Sequence, residues 1–280
     1  MRFATTLQQG RAQLGVVDGA DWIALGTDLR AALEAGTDLA AAAQSALATG
    51  TRLPLADQTF APLVPEPGKI ICLGLNYFDH AKEGGRTEKP DYPWFFYRGK
   101  SSLVAHGQPG LLPKVSVKFD YEAEMAVVIG KTVPRHVKRE DALQYVFGYS
   151  CFNDMSVRDY QKRTPQWTIG KNFDATGGFG PVLVTADELA PGAVGLRIQS
   201  RLNGQVMQDA NTSDMIFAVD ETIALLAECM TLSPGDAIIM GTPAGVGQAR
   251  TPPVWMKAGD VIEIEIENIG VLRNPIVAEG

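Results

Sequence analysis

The chain has 280 residues, 45% hydrophobic and 20% charged, an ordinary globular composition long enough for one large domain or a large and a small one. Its formal net charge is −7 and it has no basic block able to neutralise a phosphate backbone, which argues against nucleic acid as a partner. No stretch approaches the ~18 consecutive apolar residues of a membrane span, and the N-terminal MRFATTLQQG lacks an apolar signal core, so the expected location is the cytoplasm with no membrane partner.

Residues 1–26 read as three short strands, with turns at Gln9-Gly10 and Asp18-Gly19. The alanine-rich DLRAALEAGTDLAAAAQSALATG reads as two helices broken at Gly36-Thr37. Pro54, Pro62, Pro65 and Pro67 then give residues 51–68 a linker composition. The expected division is a small N-terminal α/β domain, 1–66, and a larger domain, 67–280.

KIICLGLNY opens the larger part with a buried strand, and DHAKEGG is a short helical or loop segment ending in two glycines. PWFFYRGKSSLVA is aromatic and basic. FDYEAEMAVVIG, residues 119–130, reads as one strand that enters a core after Glu124. Residues 138–146 read as a helix, and so does a segment from about Ser213 to Thr231 that stops before Pro234. Residues 181–206 and 235–277 carry several strands, with Asn203-Gly204 among the turns. Strands outnumber helices without regular βα alternation, so the class is α+β and β-rich, neither doubly wound nor an α/β barrel. Cys72, Cys151 and Cys229 are odd in number and each sits in an apolar run, the pattern of buried free thiols in a reducing compartment.

Chemistry concentrates at a few positions. Alternation along the 119–130 strand puts Asp120, Glu122 and Glu124 on one face, with Phe119, Tyr121, Ala123, Met125 and Val127 on the other. Carboxylates at i and i+2 at the edge of a core repel each other unless a positive charge sits between them. A divalent cation with oxygen ligands is the simplest candidate, and a solvated acidic strand end is the alternative. His80 and Glu83, three apart in NYFDHAKEGG, share a face if the segment is helical. They would then make an oriented general base, or else belong to an ordinary charged surface segment. Asp154 lies at the rim of an apolar run, and Arg158 and Gln161 follow at i+4 and i+7, one face if that stretch is helical. Lys171 in TIGKNFD suits a substrate carboxylate or an oxyanion, or is an exposed lysine. Two stretches carry less: VIEIEIE, 261–267, reads as a half-buried strand with its glutamates in water, and GTPAGVG, 241–247, lacks the Lys-Ser/Thr of a phosphate loop and reads as a tight loop that lets a ligand approach the backbone.

Taken in order, NYFDHAKE, DYEAEMAVVIGK, FGYSCFNDMSVRDYQ, TIGKNFDATGGFGP, the run from MIFAVDETIALLAECM to GTPAGVG, and GDVIEIEIENIG resemble the fumarylacetoacetate hydrolase family from about Lys69 to Ile276. The resemblance implies a mixed β-sandwich or roll, a homodimer or dimer of dimers, and Mg2+ or Mn2+ held by Glu122, Glu124 and Asp154. It implies that His80 and Glu83 are a catalytic dyad on a mobile lid. Gln161 and Lys171 match the family's polar site residues, Thr242 matches a loop threonine near the substrate carboxylate, and Arg158 matches a common arginine. The implied activity is metal-dependent hydrolysis of a C–C bond in a 2,4-dioxo acid, an acylpyruvate or a 2,4-dioxo-3-deoxy sugar acid, giving pyruvate and a carboxylic acid. An oxaloacetate-type decarboxylase, or an isomerase or hydratase of a catabolic 2-oxo diacid, is the alternative. Two departures are expected to reshape the pocket around the distal part of the substrate: Leu75, where the family often has arginine or serine, and YRGKSS, 97–102, in place of a lysine-proline.

Overall fold

A computed structural model gives the positions of all residues from Met1 to Gly280. Strand-forming sequence dominates, and it assembles into two main sheets. The larger has eleven strands in the spatial order Arg52–Pro54, Asp21–Ala24, Arg11–Asp18, Arg2–Gln8, Gly177–Thr185, Val146–Asp154, Ala123–Ile129, Ala237–Ile239, Ile70–Gly74 and Trp94–Tyr97, with Leu103–Ala105 parallel to Gly177–Thr185. The smaller runs Gln205–Asn211, Arg197–Leu202, Val261–Ile266, Gly270–Ala278, Gly110–Leu112. The three N-terminal strands form as read, and Arg2 and Phe3 pair with Val184 and Leu183, so residues 1–66 extend the same large sheet. They contribute none of the nine candidate site residues.

The large sheet is covered on both faces. Along its central strand Met125, Val127 and Ile129 join a core that includes Ile198, Ile262, Ile264 and Leu272 of the smaller sheet and Ile223 and Leu226 of the helix Val219–Cys229. Ala126 and Val128 face a second core, where Leu29, Leu33, Leu39 and Ala43 of two N-terminal helices pack. Those helices, Leu29–Glu34 and Leu39–Thr49, break where the sequence breaks them. Asp28 and Asp38 cap them by accepting from the Ala31 and Ala41 N–H groups at 2.9 and 3.0 Å. Val261–Ile266 alternates buried isoleucines with half-buried glutamates, and Arg201 pairs with both Glu263 and Glu265.

Local expectation and structure part in four places. Residues 139–145 form a 3₁₀ helix instead of an α-helix. Cys229 is exposed, while Cys72 and Cys151 are buried. The strand from Phe119 is interrupted: Phe119–Asp120 pairs with Ser156–Val157, and the main ladder starts at Ala123. Side chains take the donors in between. Asp120 accepts from Tyr121 N at 2.9 Å, Asn153 from Glu122 N at 3.1 Å and Gln208 from Ala123 N at 2.9 Å. Phe119, Tyr121, Ala123, Met125 and Val127 nevertheless share one core, as the alternation requires.

The fourth is the helix read from about Ser213, which starts only at Val219. Buried Asn76 holds the preceding backbone extended. Its Oδ1 accepts from Phe217 N at 2.8 Å, and its Nδ2 donates to Phe217 O at 3.1 Å and Met240 O at 2.8 Å. Replacing a side chain that satisfies three buried main-chain groups strands all three. Asn76→Ala is therefore expected to lower stability by about 3 kcal/mol with an unchanged denaturant slope. Urea unfolding measures this, and a loss below about 0.5 kcal/mol would show that Asn76 does not hold the segment.

Candidate active site

Four carboxylates, Asp120, Glu122, Glu124 and Asp154, converge in the interior, none more than 4% exposed. Glu124 is the second residue of the strand Ala123–Ile129, and Asp154 ends its neighbour Val146–Asp154. The Asp154 N–H donates to the Glu122 carbonyl at 3.0 Å, which fixes these two backbones beside each other. Asp154 thus sits at a strand end, and only Arg158 and Gln161 share the short helix Arg158–Gln161 that the spacing had suggested for all three.

Three buried cations answer the carboxylates. Arg98 Nη1 lies 2.7 Å from Asp154 Oδ1, and its Nη2 donates to Thr176 Oγ1 at 3.0 Å. Arg158 reaches Asp120 Oδ2 at 2.8 Å and Glu122 Oε1 at 2.7 Å. Lys171 Nζ bridges Glu122 Oε2 and Asp154 Oδ2 at 2.5 and 2.7 Å. Burial alone would raise the Glu122 carboxyl, but the Arg158 and Lys171 charges pull it down to about 2. Glu124 goes the other way: burial first, then the charges of Asp154 and Glu122, hold it well above the ordinary carboxylate range. Its one hydrogen bond is from the Gly241 N–H at 2.6 Å.

The His80–Glu83 pair forms on the helix Phe78–Glu83, with Nδ1 donating to Glu83 Oε2 at 3.2 Å. Nε2 is then the nitrogen with a free lone pair. Glu83 Oε1 also accepts from the Gly245 N–H at 2.8 Å, tying this helix to the glycine loop. Asp120 secures the far end of that loop by accepting from Gly247 N and Gln248 N at 2.7 and 2.9 Å. It is no part of the acidic triad but braces the loop and Arg158.

A cavity of about 340 Å³ is lined by His80, Glu83, Glu122, Glu124, Arg158, Gln161, Lys171 and Thr242, eight of the nine candidates. Asp154, the ninth, places an oxygen within 4.8 Å of oxygens from Glu122 and Glu124. Sequence reasoning missed Arg98 and Gln208. Arg98 was read with the distal pocket, yet it lies behind Asp154, away from the cavity wall. Gln208 donates to Thr242 Oγ1 and Pro243 O, both at 2.8 Å, while accepting from Ala123 N, so it links the glutamate strand to the loop. Nothing local marked it, since glutamines on hairpin strands are common; Arg98 stood where the family's lysine was expected. Leu75 does line the cavity.

The donor set fits a hard divalent cation. All three candidate ligands are buried carboxylates, the chemistry Mg2+ and Mn2+ take. Glu122 and Asp154 already share the Lys171 ammonium, while Glu124 is held above its ordinary range by burial and by the charges of those two. Such a centre, opening on a cavity with an oriented imidazole, belongs to an enzyme that works on a small molecule. Residues 69–277 match the family model Fumarylacetoacetate (FAA) hydrolase C-terminal, and the chain belongs to that family. The mitochondrial oxaloacetate tautomerase Fahd2a of Rattus norvegicus is 42% identical over 247 residues, covering 88% of this chain and 78% of the relative. The solved fumarylacetoacetate hydrolase of Exiguobacterium antarcticum matches with TM-score 0.88 and 34% identity, and maleylpyruvate hydrolase of Sphingobium sp. SYK-6 with 0.84 and 32%, both covering 100% of each chain. No helix is long and apolar enough to cross a membrane.

Burial and the charges of Asp154 and Glu122 favour the protonated form of the Glu124 carboxyl, whereas a bound cation would favour the ionised form. Divalent-ion affinity is expected to rise with pH, and Mg2+ binding to release protons. Calorimetry in buffers of different ionisation enthalpy counts the protons, and Glu122→Gln should abolish the binding signal. Release of no proton at any pH between about 5 and 8 would contradict the raised Glu124.

Proposed function

We propose that the protein is a divalent-metal-dependent tautomerase of a small 2-oxo acid of the oxaloacetate type, interconverting its keto and enol forms. The observation that carries this is the His80–Glu83 dyad facing the same cavity as the acidic triad. Glu122, Glu124 and Asp154 would hold Mg2+ or Mn2+, which supplies an electrophile for the negative charge that develops on the 2-oxo oxygen. His80 Nε2 takes the proton from C3 as the C2–C3 double bond forms, and the 2-oxo oxygen takes a proton from solvent to give the enol. In the other direction the enol O–H proton goes to solvent and the imidazolium returns a proton to C3. Glu83 keeps the imidazole in the tautomer that leaves Nε2 free. Arg158 Nη2 is buried without a hydrogen-bond partner on the cavity wall and is the donor for the substrate's 1-carboxylate. Gln161 spends Oε1 on Arg158 at 2.9 Å, which leaves its amide nitrogen for the same group. Thr242 completes the wall beside them.

Hydrolysis of a 2,4-dioxo acid is the second reading, favoured by the likeness to the maleylpyruvate hydrolase. It asks His80 to deprotonate a water and Lys171 with Gln161 to stabilise the oxyanion at C4 before the C3–C4 bond breaks. Lys171, however, is already engaged by two carboxylates at 2.5 and 2.7 Å. Proton transfer at C3 makes no demand on it, which is why tautomerisation comes first. Either reading keeps the expected cytoplasmic location and homodimer.

His80→Ala is expected to slow loss of the oxaloacetate enol, followed by ultraviolet absorbance, by about 100-fold or more. Mg2+ binding should be unchanged. If wild-type enzyme leaves the enol untouched but releases pyruvate from acylpyruvates, the hydrolase reading replaces this one, and CO2 release from oxaloacetate would identify a decarboxylase instead. A variant as fast as wild type ends the assignment of His80.

A further inference from the structure

The cavity holds two cations that the chemistry above does not use, Arg86 and Lys162. Every cation of the buried cluster is matched to carboxylates: Arg98 to Asp154, Arg158 to Asp120 and Glu122, Lys171 to Glu122 and Asp154. Arg86 and Lys162 line the same cavity and make no ion pair with the protein. Arg86 follows the dyad helix Phe78–Glu83 after Gly84 and Gly85, and Lys162 follows Gln161.

Arg86 is also held in place. Its guanidinium lies 4.9 Å from the ring centre of Trp94, and Trp94 stacks on Trp167 at 5.5 Å with 13° between the planes. Trp167 is itself part of the cavity wall. A stacked guanidinium keeps its N–H edge free for a planar anion. Lys162 stands in a positive surplus: burial, then the charges of Arg158 and Lys118, hold it below a lysine's ordinary range. A carboxylate arriving there relieves repulsion as well as forming a pair.

Charge balance says which group arrives. With all four buried carboxylates ionised, as an ion in the site would require, the three buried cations leave one negative charge. A divalent ion turns that into one positive charge, and the 1-carboxylate of a 2-oxo acid cancels it. A second carboxylate on the substrate finds no counter-charge left inside. We propose that Arg86 and Lys162 form a subsite for the distal carboxylate of a 2-oxo dicarboxylic acid, so that the cavity selects diacids over monoacids. This rests on the reading that the substrate is a 2-oxo acid, and it names the class.

The test compares oxaloacetate with its 4-methyl ester, which has nearly the same shape without the distal charge. Calorimetry on the Mg2+-loaded protein reads affinity whether or not turnover occurs. Wild type is expected to bind oxaloacetate at least about tenfold more tightly than the ester. The double variant Arg86→Gln, Lys162→Met should lose about tenfold or more for oxaloacetate and change less than about twofold for the ester. Arg86→Lys, which keeps the charge and gives up the guanidinium, should recover part of the preference. Equal loss for both ligands would mean the two residues only shape the wall, and a wild type that does not prefer the diacid, or binds neither ligand, overturns the subsite. Selective binding without enol turnover sustains the subsite and defeats the tautomerase, whereas turnover with the preference intact in the double variant does the reverse.

Discussion

Four carboxylates brought out of water into one small volume repel each other strongly, and the structure around them is largely the means of holding that repulsion in check. Each counter-cation comes from a different segment. Arg98 leaves the end of the strand Trp94–Tyr97, Arg158 opens the short helix Arg158–Gln161, and Lys171 closes the short helix Thr168–Lys171. Neither helix is long enough to be stable alone. They are held because their charged ends are needed at the same point, and they pack closely: a Cβ on Gly170 would fall 2.4 Å from Gln161 N, so only glycine lets the two helices meet. The charge network therefore sets the geometry of this wall as much as apolar packing does.

The central strand was legible in the sequence for a clear physical reason. Period-two alternation states which side chains share a face, and the facing of Phe119 to Val127 survives even where the ladder breaks. The paired glutamates stood out because ionisable groups seldom enter a core without a purpose. The roles of the H-x-x-E pair and of Asp154 came from the family resemblance, their spacing alone leaving an ordinary surface segment and a core-rim carboxylate open. Less legible was everything that depends on a side chain capturing distant backbone. Asn76 delays a helix that lies 141 residues away at Phe217, and Gln208 joins strand to loop. No local pattern encodes such contacts. Arg98 was misplaced for a similar reason, since exposure cannot be inferred for a basic residue between an aromatic strand and a glycine.

The His80–Glu83 pair and the acidic triad look separate in the sequence, but hydrogen bonds make them one mechanical unit. Glu83 orients His80 through one oxygen and takes the Gly245 N–H with the other. That loop is anchored at Gly241 by Glu124 and at Gly247 by Asp120, while Gln208 fixes Thr242 within it. The orientation of the imidazole is thus referred, through one loop, to two residues of the carboxylate cluster. Glu124 is the weak point of the linkage, because its bond to Gly241 is strongest when it is ionised, and burial beside Asp154 and Glu122 opposes ionisation. A divalent ion held there would offset that opposition, strengthen the anchor at Gly241 and so steady the loop that Glu83 also holds. Under the proposed function, ion binding and the positioning of His80 would be coupled through Glu124, and proton transfer would gain from this because its rate depends on how the base is held against its target.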